Sequence, residues 1–149
     1  MFKNILLPTD GSDASGAAIQ QGIALARVLQ ARVTGVYVMP EFHVLTYRTE
    51  MLEDTEEQFR QDSQLHAAGF LAVVERAAQE ASVPCDTVAV VSDHPYEAII
   101  RTAGERGCDL IAMASHGRRG VRGFLLGSET QKVLVHTQMP VLVLRQAGP

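Results

Sequence analysis

The residues with the most chemistry in them lie between Met113 and Thr130. Met113-Ala114-Ser115-His116-Gly117-Arg118-Arg119-Gly120 leads through Arg122 and Gly123 to Gly127-Ser128-Glu129-Thr130. A short apolar run precedes this segment, and an amphipathic one follows it. Gly117, Gly120, Gly123 and Gly127 allow a backbone to bend around a ligand and approach it closely. Arg118, Arg119 and Arg122 supply charge-assisted donors suited to phosphate oxygens. Gly127-Ser128 places a hydroxyl and unpaired N–H groups at the positive end of a helix dipole. Strand, bendable loop and helix start together make an anion pocket, and the ligand they indicate is a nucleotide phosphate. The alternative is a plain surface loop with Ser128 as an ordinary helix cap; the arginine cluster and the strand ahead of it weigh against that.

Better-known phosphate motifs do not fit. No Gly-Lys-Ser/Thr stands at the spacing of a P-loop, and the first apolar run is followed by Gly11 without a Gly-x-Gly-x-x-Gly. Gly117-Arg118-Arg119-Gly120 matches the Gly-x-x-Gly of an RNA-binding KH module, but that loop joins two helices, whereas here a strand comes first.

A second constellation is Pro8-Thr9-Asp10-Gly11-Ser12. Asp10 and Ser12 suit a turn and a helix cap. A carboxylate there also suits ribose hydroxyls or a metal held by phosphates, and both roles can coexist. His116 either donates to a phosphate or orders its turn. His43, His66, His94 and His136 are scattered without ligand spacing, and no Ser/His/Asp or Cys/His arrangement is legible, so neither a protein metal site nor a catalytic residue is expected. Cys85 and Cys108 lack metal-type spacing and suit reduced thiols, with Cys108 in the core.

These loops need elements to carry them. Phe2–Leu7 is expected as a buried strand ended by Pro8, and Asp13–Gln30 as a helix. Arg32–Met39 is β-branched and stops at Pro40. Met51–Ala81 has a long helical pattern. A strand is expected near Thr87–Val91, then a helix opened by Pro95, capped by Asp93 or His94 and running to about Arg106. Cys108–Ala114, Ser128–His136 and Val141–Leu144 complete the alternation as strand, helix and strand. Strict β-α alternation with apolar strands implies a doubly wound parallel α/β sheet covered on both faces. Ligands of such sheets bind beyond the carboxyl ends of the strands, where the winding reverses. The loops after the first and fourth strands would meet there.

With 149 residues the chain suits one domain spanning 1–149, and its 46% hydrophobic content is that of a globular protein. A net charge of −4 offers no general attraction to nucleic acid or anionic membrane. No apolar run approaches the roughly 20 residues of a spanning helix. Met1-Phe2-Lys3-Asn4-Ile5 lacks a signal-peptide layout, so a cytoplasmic location is expected. The acidic run Glu50, Glu53, Asp54, Glu56, Glu57 suits a solvated helix face, with a docking surface as the lesser alternative. Glu41–Thr49 has no clear period and is expected as a mobile loop, with a flap over the site as one role open to it.

The pattern Ala-Ser-His-Gly at 114–117, then nine residues, then Gly-Ser at 127–128, resembles the nucleotide-binding signature of the universal stress protein family. Asn4-Ile5-Leu6-Leu7-Pro8-Thr9-Asp10-Gly11-Ser12 and Pro140-Val141-Leu142-Val143-Leu144 extend the resemblance over nearly the whole chain. It implies a five-stranded parallel sheet of order 3-2-1-4-5, homodimers, and a split between members that bind ATP and members that do not. Carried over by position, Pro8, Thr9 and Asp10 would border an adenosine, and Val38 would meet adenine through its main chain. Met113, Ala114, Ser115, His116, Gly117, Arg118, Arg119 and Gly120 would wrap the phosphates with Gly127, Ser128, Glu129 and Thr130. The ligand would be ATP or another adenine nucleotide, with magnesium held mainly by the phosphates. Two residues depart from the signature. Ala114 replaces its first glycine, and Glu129 brings negative charge to the phosphates unless its side chain turns away.

The function expected is a dimeric regulator whose conformation or partner binding is biased by nucleotide, paired through Val141–Leu144. A nucleotide-independent interaction protein is the alternative. A slow ATPase or self-phosphorylating enzyme, with Ser128 or Thr130 as acceptor, has no visible base to support it.

Overall fold

The computed structural model describes residues 1–43, 49–117 and 126–146, with 49–54 as backbone only. The elements are β1 (Asn4–Thr9), α1 (Asp13–Leu29), β2 (Arg32–Met39), α2 (Thr49–Glu80), β3 (Cys85–Val91), α3 (Pro95–Glu105), β4 (Leu110–Ala114), α4 (Ser128–His136) and β5 (Val141–Leu144). All strand pairs are parallel, in the order β3-β2-β1-β4-β5, as the resemblance implied.

Alternation along the strands sorts side chains into two cores. Ile5, Leu7, Val33 and Leu110 pack with Ile19 and Ile23 of α1 and Val74 and Ala77 of α2. Leu6, Val36, Ile111 and Met113 face the other way and meet Ile99 and Ala103 of α3 and Val133 of α4. A central strand buried on both faces is apolar through its middle, and this is why Ile5-Leu6-Leu7 reads as an unbroken hydrophobic run, while buried Asn4 and Thr9 at its ends are hydrogen-bonded.

Local chemistry sets the helix ends. Ser12 Oγ accepts the Ser15 N–H at 3.1 Å and caps α1. The helix closes one residue earlier than expected because Gln30 turns left-handed, with φ 54°. Pro95 opens α3, as expected of a residue with no N–H to leave unpaired. His94 is its N-cap residue but makes no side-chain cap bond.

Further boundaries differ from the sequence expectation: β1 begins at Asn4 rather than Phe2, and α2 runs from Thr49 to Glu80 rather than from Met51 to Ala81. Pro8 does not end β1, which runs on to Thr9 in register with Tyr37 of β2. Pro8 lies past the last β1–β4 pair, Leu6 with Ile111, where the ladder has no further use for a donor. Cys108 and Asp109 precede β4: the Cys108 N–H closes the end of α3 on Ala103 O, and the Asp109 N–H goes to Asn4 O. β3 begins at Cys85.

The amino ends of the central strands are tied tightly. The Asp109 carboxylate accepts the N–H groups of Lys3 at 2.8 Å and Asn4 at 3.1 Å. Buried Asn4 accepts from the Thr34 hydroxyl at 3.0 Å and donates to Arg106 O at 3.1 Å. Replacing it by alanine strands both partners. Asn4→Ala is expected to cost about 1–3 kcal/mol, read as a lower denaturant midpoint at unchanged slope.

Candidate functional site

The two strands so tied at one end part at the other. β1 pairs with β2 at six positions but with β4 at only two, Ile5 with Leu110 and Leu6 with Ile111. The helices α1 and α2 cover one face here and α3 and α4 the other, so the winding reverses between β1 and β4. A crevice of about 660 Å³ opens there, a volume ordinary for a small-molecule site.

Its walls differ in kind. Val36, Val38, Ile99 and Met113 continue the α3/α4-side core into the crevice as an apolar wall. Backbone and polar groups form the rest. Pro8, Thr9 and Asp10 enter from β1, and Ala114, His116 and Gly117 from the end of β4. Gly127, Ser128, Glu129 and Thr130 enter from the start of α4. Ser115 lies behind this surface, buried, and serves the backbone instead. Arg118, Arg119 and Gly120, with Arg122 and Gly123, lie outside the described residues.

The two ends of the loop after β4 are stitched together. The Gly127 N–H donates to Ser115 O at 2.7 Å, the Ser115 N–H to Leu144 O of β5 at 3.0 Å, and the Thr130 hydroxyl to Ala114 O at 2.9 Å. A Cβ on Gly127 would stand 3.0 Å from His116 Cα and 3.4 Å from Ser115 O, so this close approach favours glycine. A Cβ on Gly117 would collide with Asp10 Oδ2, which brings the loops after β1 and β4 into contact. Ala114, in place of the signature's first glycine, sits in regular strand and needs no glycine conformation.

Asp10 and Ser12 make the turn the sequence suggested. Asp10 Oδ1 accepts the Ser12 N–H at 2.9 Å, and Ser12 caps α1. Thr9 Oγ1 lies 3.2 Å from Ser15 Oγ and accepts the Gly11 N–H at the same distance. The His116 ring packs against its own turn, with Nδ1 3.2 Å from Ser115 Oγ.

At the start of α4 the first intrahelical bond runs from the Gln131 N–H to Gly127 O at 3.0 Å. Among the described residues no hydrogen bond takes up the N–H groups of Ser128, Glu129 or Thr130. They are the orphan donors of a helix start, and they belong to residues that line the crevice. The Glu129 side chain is occupied elsewhere. Its Oε2 accepts the Tyr96 N–H of α3 at 2.9 Å, and its Oε1 lies 3.3 Å from Lys132 Nζ.

Ser15, Val36, Pro95, Ile99, Leu126 and Gln131 also line the crevice, though nothing in the sequence singled them out. Val36 had a signal: it stands two residues before Val38 on the same strand face. Ile99 and Pro95 come from a helix distant in sequence from both marked loops.

The thiols stay protonated. Burial, together with Glu75 and Asp86, pushes Cys85 up to about 11, and burial raises Cys108. Both are free cysteines, and Cys108 is buried as expected. Outside the crevice, the fold brings together residues that looked scattered. Asp93 accepts the Glu41 N–H at 2.9 Å and pairs with His43, so the donor atoms of Glu41, His43 and Asp93 lie within 4.8 Å of one another. This cluster ties the exit of β2 to that of β3. Residues 44–48 of the expected loop lie outside the described residues, and Thr49, expected at its end, already belongs to α2.

With this geometry in view, the comparisons with known proteins decide the family. The Universal stress protein family matches residues 1–145. The chain belongs to the universal stress protein family. Universal stress protein YxiE of Bacillus subtilis is 30% identical over 149 residues, covering 97% of this chain and 100% of that protein. The structure of MJ0577, a universal stress protein of Methanocaldococcus jannaschii, superposes with a TM-score of 0.83 at 26% identity, covering 100% of this chain and 99% of that one. More distant members share the fold. One universal stress protein was solved in complex with cAMP (TM-score 0.72, 21% identity, 98% of this chain and 99% of that chain). Another, from Arabidopsis thaliana, was solved with AMP bound (TM-score 0.70, 15% identity, 98% and 93%). No described helix is long and apolar enough to cross a membrane.

The Glu41 N–H and the His43 ring hold the Asp93 carboxyl below its ordinary range. A carboxylate with a depressed folded pKa stabilises above its unfolded pKa, and that contribution fades as pH falls through the folded value. Asp93 is therefore expected to titrate below pH 3.8 by carboxyl NMR. In Asp93→Asn that part of the acid sensitivity should disappear.

Proposed function

We propose that the crevice binds an adenine nucleotide and that the bound nucleotide biases conformation or partner binding. The observation that carries this reading is the pairing of an apolar wall with the open N–H groups of α4 in one cavity. A base is a flat, largely apolar body, which suits Val36, Val38, Ile99 and Met113. A phosphate is an anion that wants converging N–H donors and a positive helix end, which suits Ser128 and its neighbours. Binding of cAMP and AMP by distant members of the same fold supports the same ligand class.

In this reading Pro8, Thr9 and Asp10 border the adenosine, and the Val38 main chain meets adenine. Gly117, Gly127, Ser128 and Thr130 receive the phosphates with Met113, Ala114 and His116 alongside. Arg118, Arg119 and Gly120 join them by their place in the sequence. ATP is the ligand we favour, with magnesium held mainly by its phosphates. The nucleotide acts as a ligand rather than as fuel, in the cytoplasm. We propose also that the protein is a homodimer. β5 is an edge strand whose residues Val141–Leu144 stay half-exposed, and an apolar edge is blunted when it pairs with its twin across a two-fold axis.

Titration with AMP or with ATP and magnesium, followed by calorimetry, is expected to saturate near one nucleotide per chain. A side chain at position 127 would force the His116 backbone aside. Gly127→Val should therefore weaken binding by about tenfold or more, with the far-ultraviolet spectrum kept. No binding at millimolar nucleotide overturns the proposal. For the dimer, light scattering at micromolar concentration should give twice the chain mass; a monomer overturns that part.

A further inference from the structure

We infer that Glu129 is a specificity-determining residue, which makes the crevice discriminate among adenylates by the charge of their phosphates. The inference rests on the nucleotide reading above and goes beyond it. Glu129 lines the crevice one residue after Ser128, within the first turn of α4, where an anionic ligand would dock. Its carboxylate does not swing freely into solvent. One oxygen is held by the Tyr96 N–H at 2.9 Å and the other by Lys132 at 3.3 Å, and the side chain is only 36% exposed. Pro95, the residue before Tyr96, lines the same crevice. The negative charge is thus anchored in the wall between the starts of α3 and α4.

A fixed charge acts on whatever ionic ligand shares its cavity. Adenosine is neutral and should not feel it. A monophosphate meets modest repulsion, and a triphosphate brings further charge within the screening length of about 10 Å at moderate salt. Lys132 offsets part of this repulsion from its place on the next turn of the helix. Glu129 therefore tilts the site toward ligands with fewer phosphate charges, and Lys132 tilts it back.

Dissociation constants for adenosine, AMP and ATP, measured in EDTA so that phosphate charge stays bare, test this. Glu129→Gln keeps a carbonyl oxygen for the Tyr96 N–H and removes the charge. It is expected to tighten ATP about three- to tenfold, AMP by less, and adenosine not at all, the gain shrinking in high salt. Lys132→Met should do the reverse, and it carries the test if Glu129→Gln does not fold. An ATP-to-AMP ratio unchanged in a folded Glu129→Gln variant, or in Lys132→Met where that variant carries the test, overturns the role of Glu129 while leaving the nucleotide reading intact. Absence of binding by all three ligands to the unaltered protein overturns the nucleotide reading and this inference with it.

Discussion

The structure turns on how little holds β1 to β4. Two residue pairs join them, and both lie toward the amino ends of the strands. There the Asp109 carboxylate collects the N–H groups of Lys3 and Asn4 and keeps the strands close. Toward the carboxyl ends the β1–β4 ladder stops after Leu6 and Ile111, because the chain leaves β1 toward one face of the sheet and reaches β4 from the other. Right-handed crossovers on opposite faces cannot also close the gap between the strands they leave. The crevice is a consequence of winding, and the side chains that line it were placed by the same alternation that builds the two cores. Val36, Ile99 and Met113 are core residues whose outer surfaces happen to meet the opening.

Holding that opening in shape falls to the segment after β4. It leaves the sheet at Ala114 and must return its far end to the same spot to begin α4. Three hydrogen bonds do this: Gly127 to Ser115, Ser115 to Leu144, and Thr130 to Ala114. The return places Gly127 so close to the His116 backbone that a Cβ there would stand 3.0 Å from His116 Cα and push it by a few tenths of an ångström. Glycine at 127 thus eases closure of the loop, whatever ligand the loop serves. The same is true of Asp10, whose turn with Ser12 starts α1 while its other oxygen fills the space a Cβ on Gly117 would take.

Much of this was legible from residue order. The nine elements of the described chain follow from the alternation of apolar runs and helical periods, and their parallel pairing follows from the alternation itself. The glycine and helix-start signals pointed to the loops that meet at the crevice. Boundaries were less legible where a residue's habit depends on its neighbours. Pro8 ends strands that need its donor, yet here no partner strand asks for one. Gln30 gave no local sign of the left-handed turn it adopts. The apolar wall was only half visible, since Ile99 and Pro95 reach the site through packing of α3 on the sheet, which no local pattern encodes. The meeting of Glu41, His43 and Asp93 was hidden for the same reason: β2 and β3 are neighbours in the sheet but are separated in sequence by the whole of α2.

Glu129 shows why a residue that looks wrong in a motif need not be wrong in a fold. Both α3 and α4 contribute the residues of their first turns to one crevice. Each start leaves orphan N–H groups with a partial positive charge. The α3 start has no cap bond from the His94 side chain. Glu129 supplies the missing acceptor across the gap, with Lys132 balancing part of its charge, and Tyr96 packs on His136 with ring centroids 5.1 Å apart. One carboxylate thereby joins two helices that share no backbone hydrogen bond. It also divides the crevice's positive ends between two uses. The α3 end is satisfied by the protein, whereas no hydrogen bond among the described residues takes up the N–H groups at the α4 end. A side chain at 129 without an acceptor oxygen would leave both ends open and the two helices less firmly joined. Under the proposed nucleotide reading, the negative charge at 129 is the counterpart of this join between α3 and α4, and the two oxygen atoms that pack the helices would also set ligand preference.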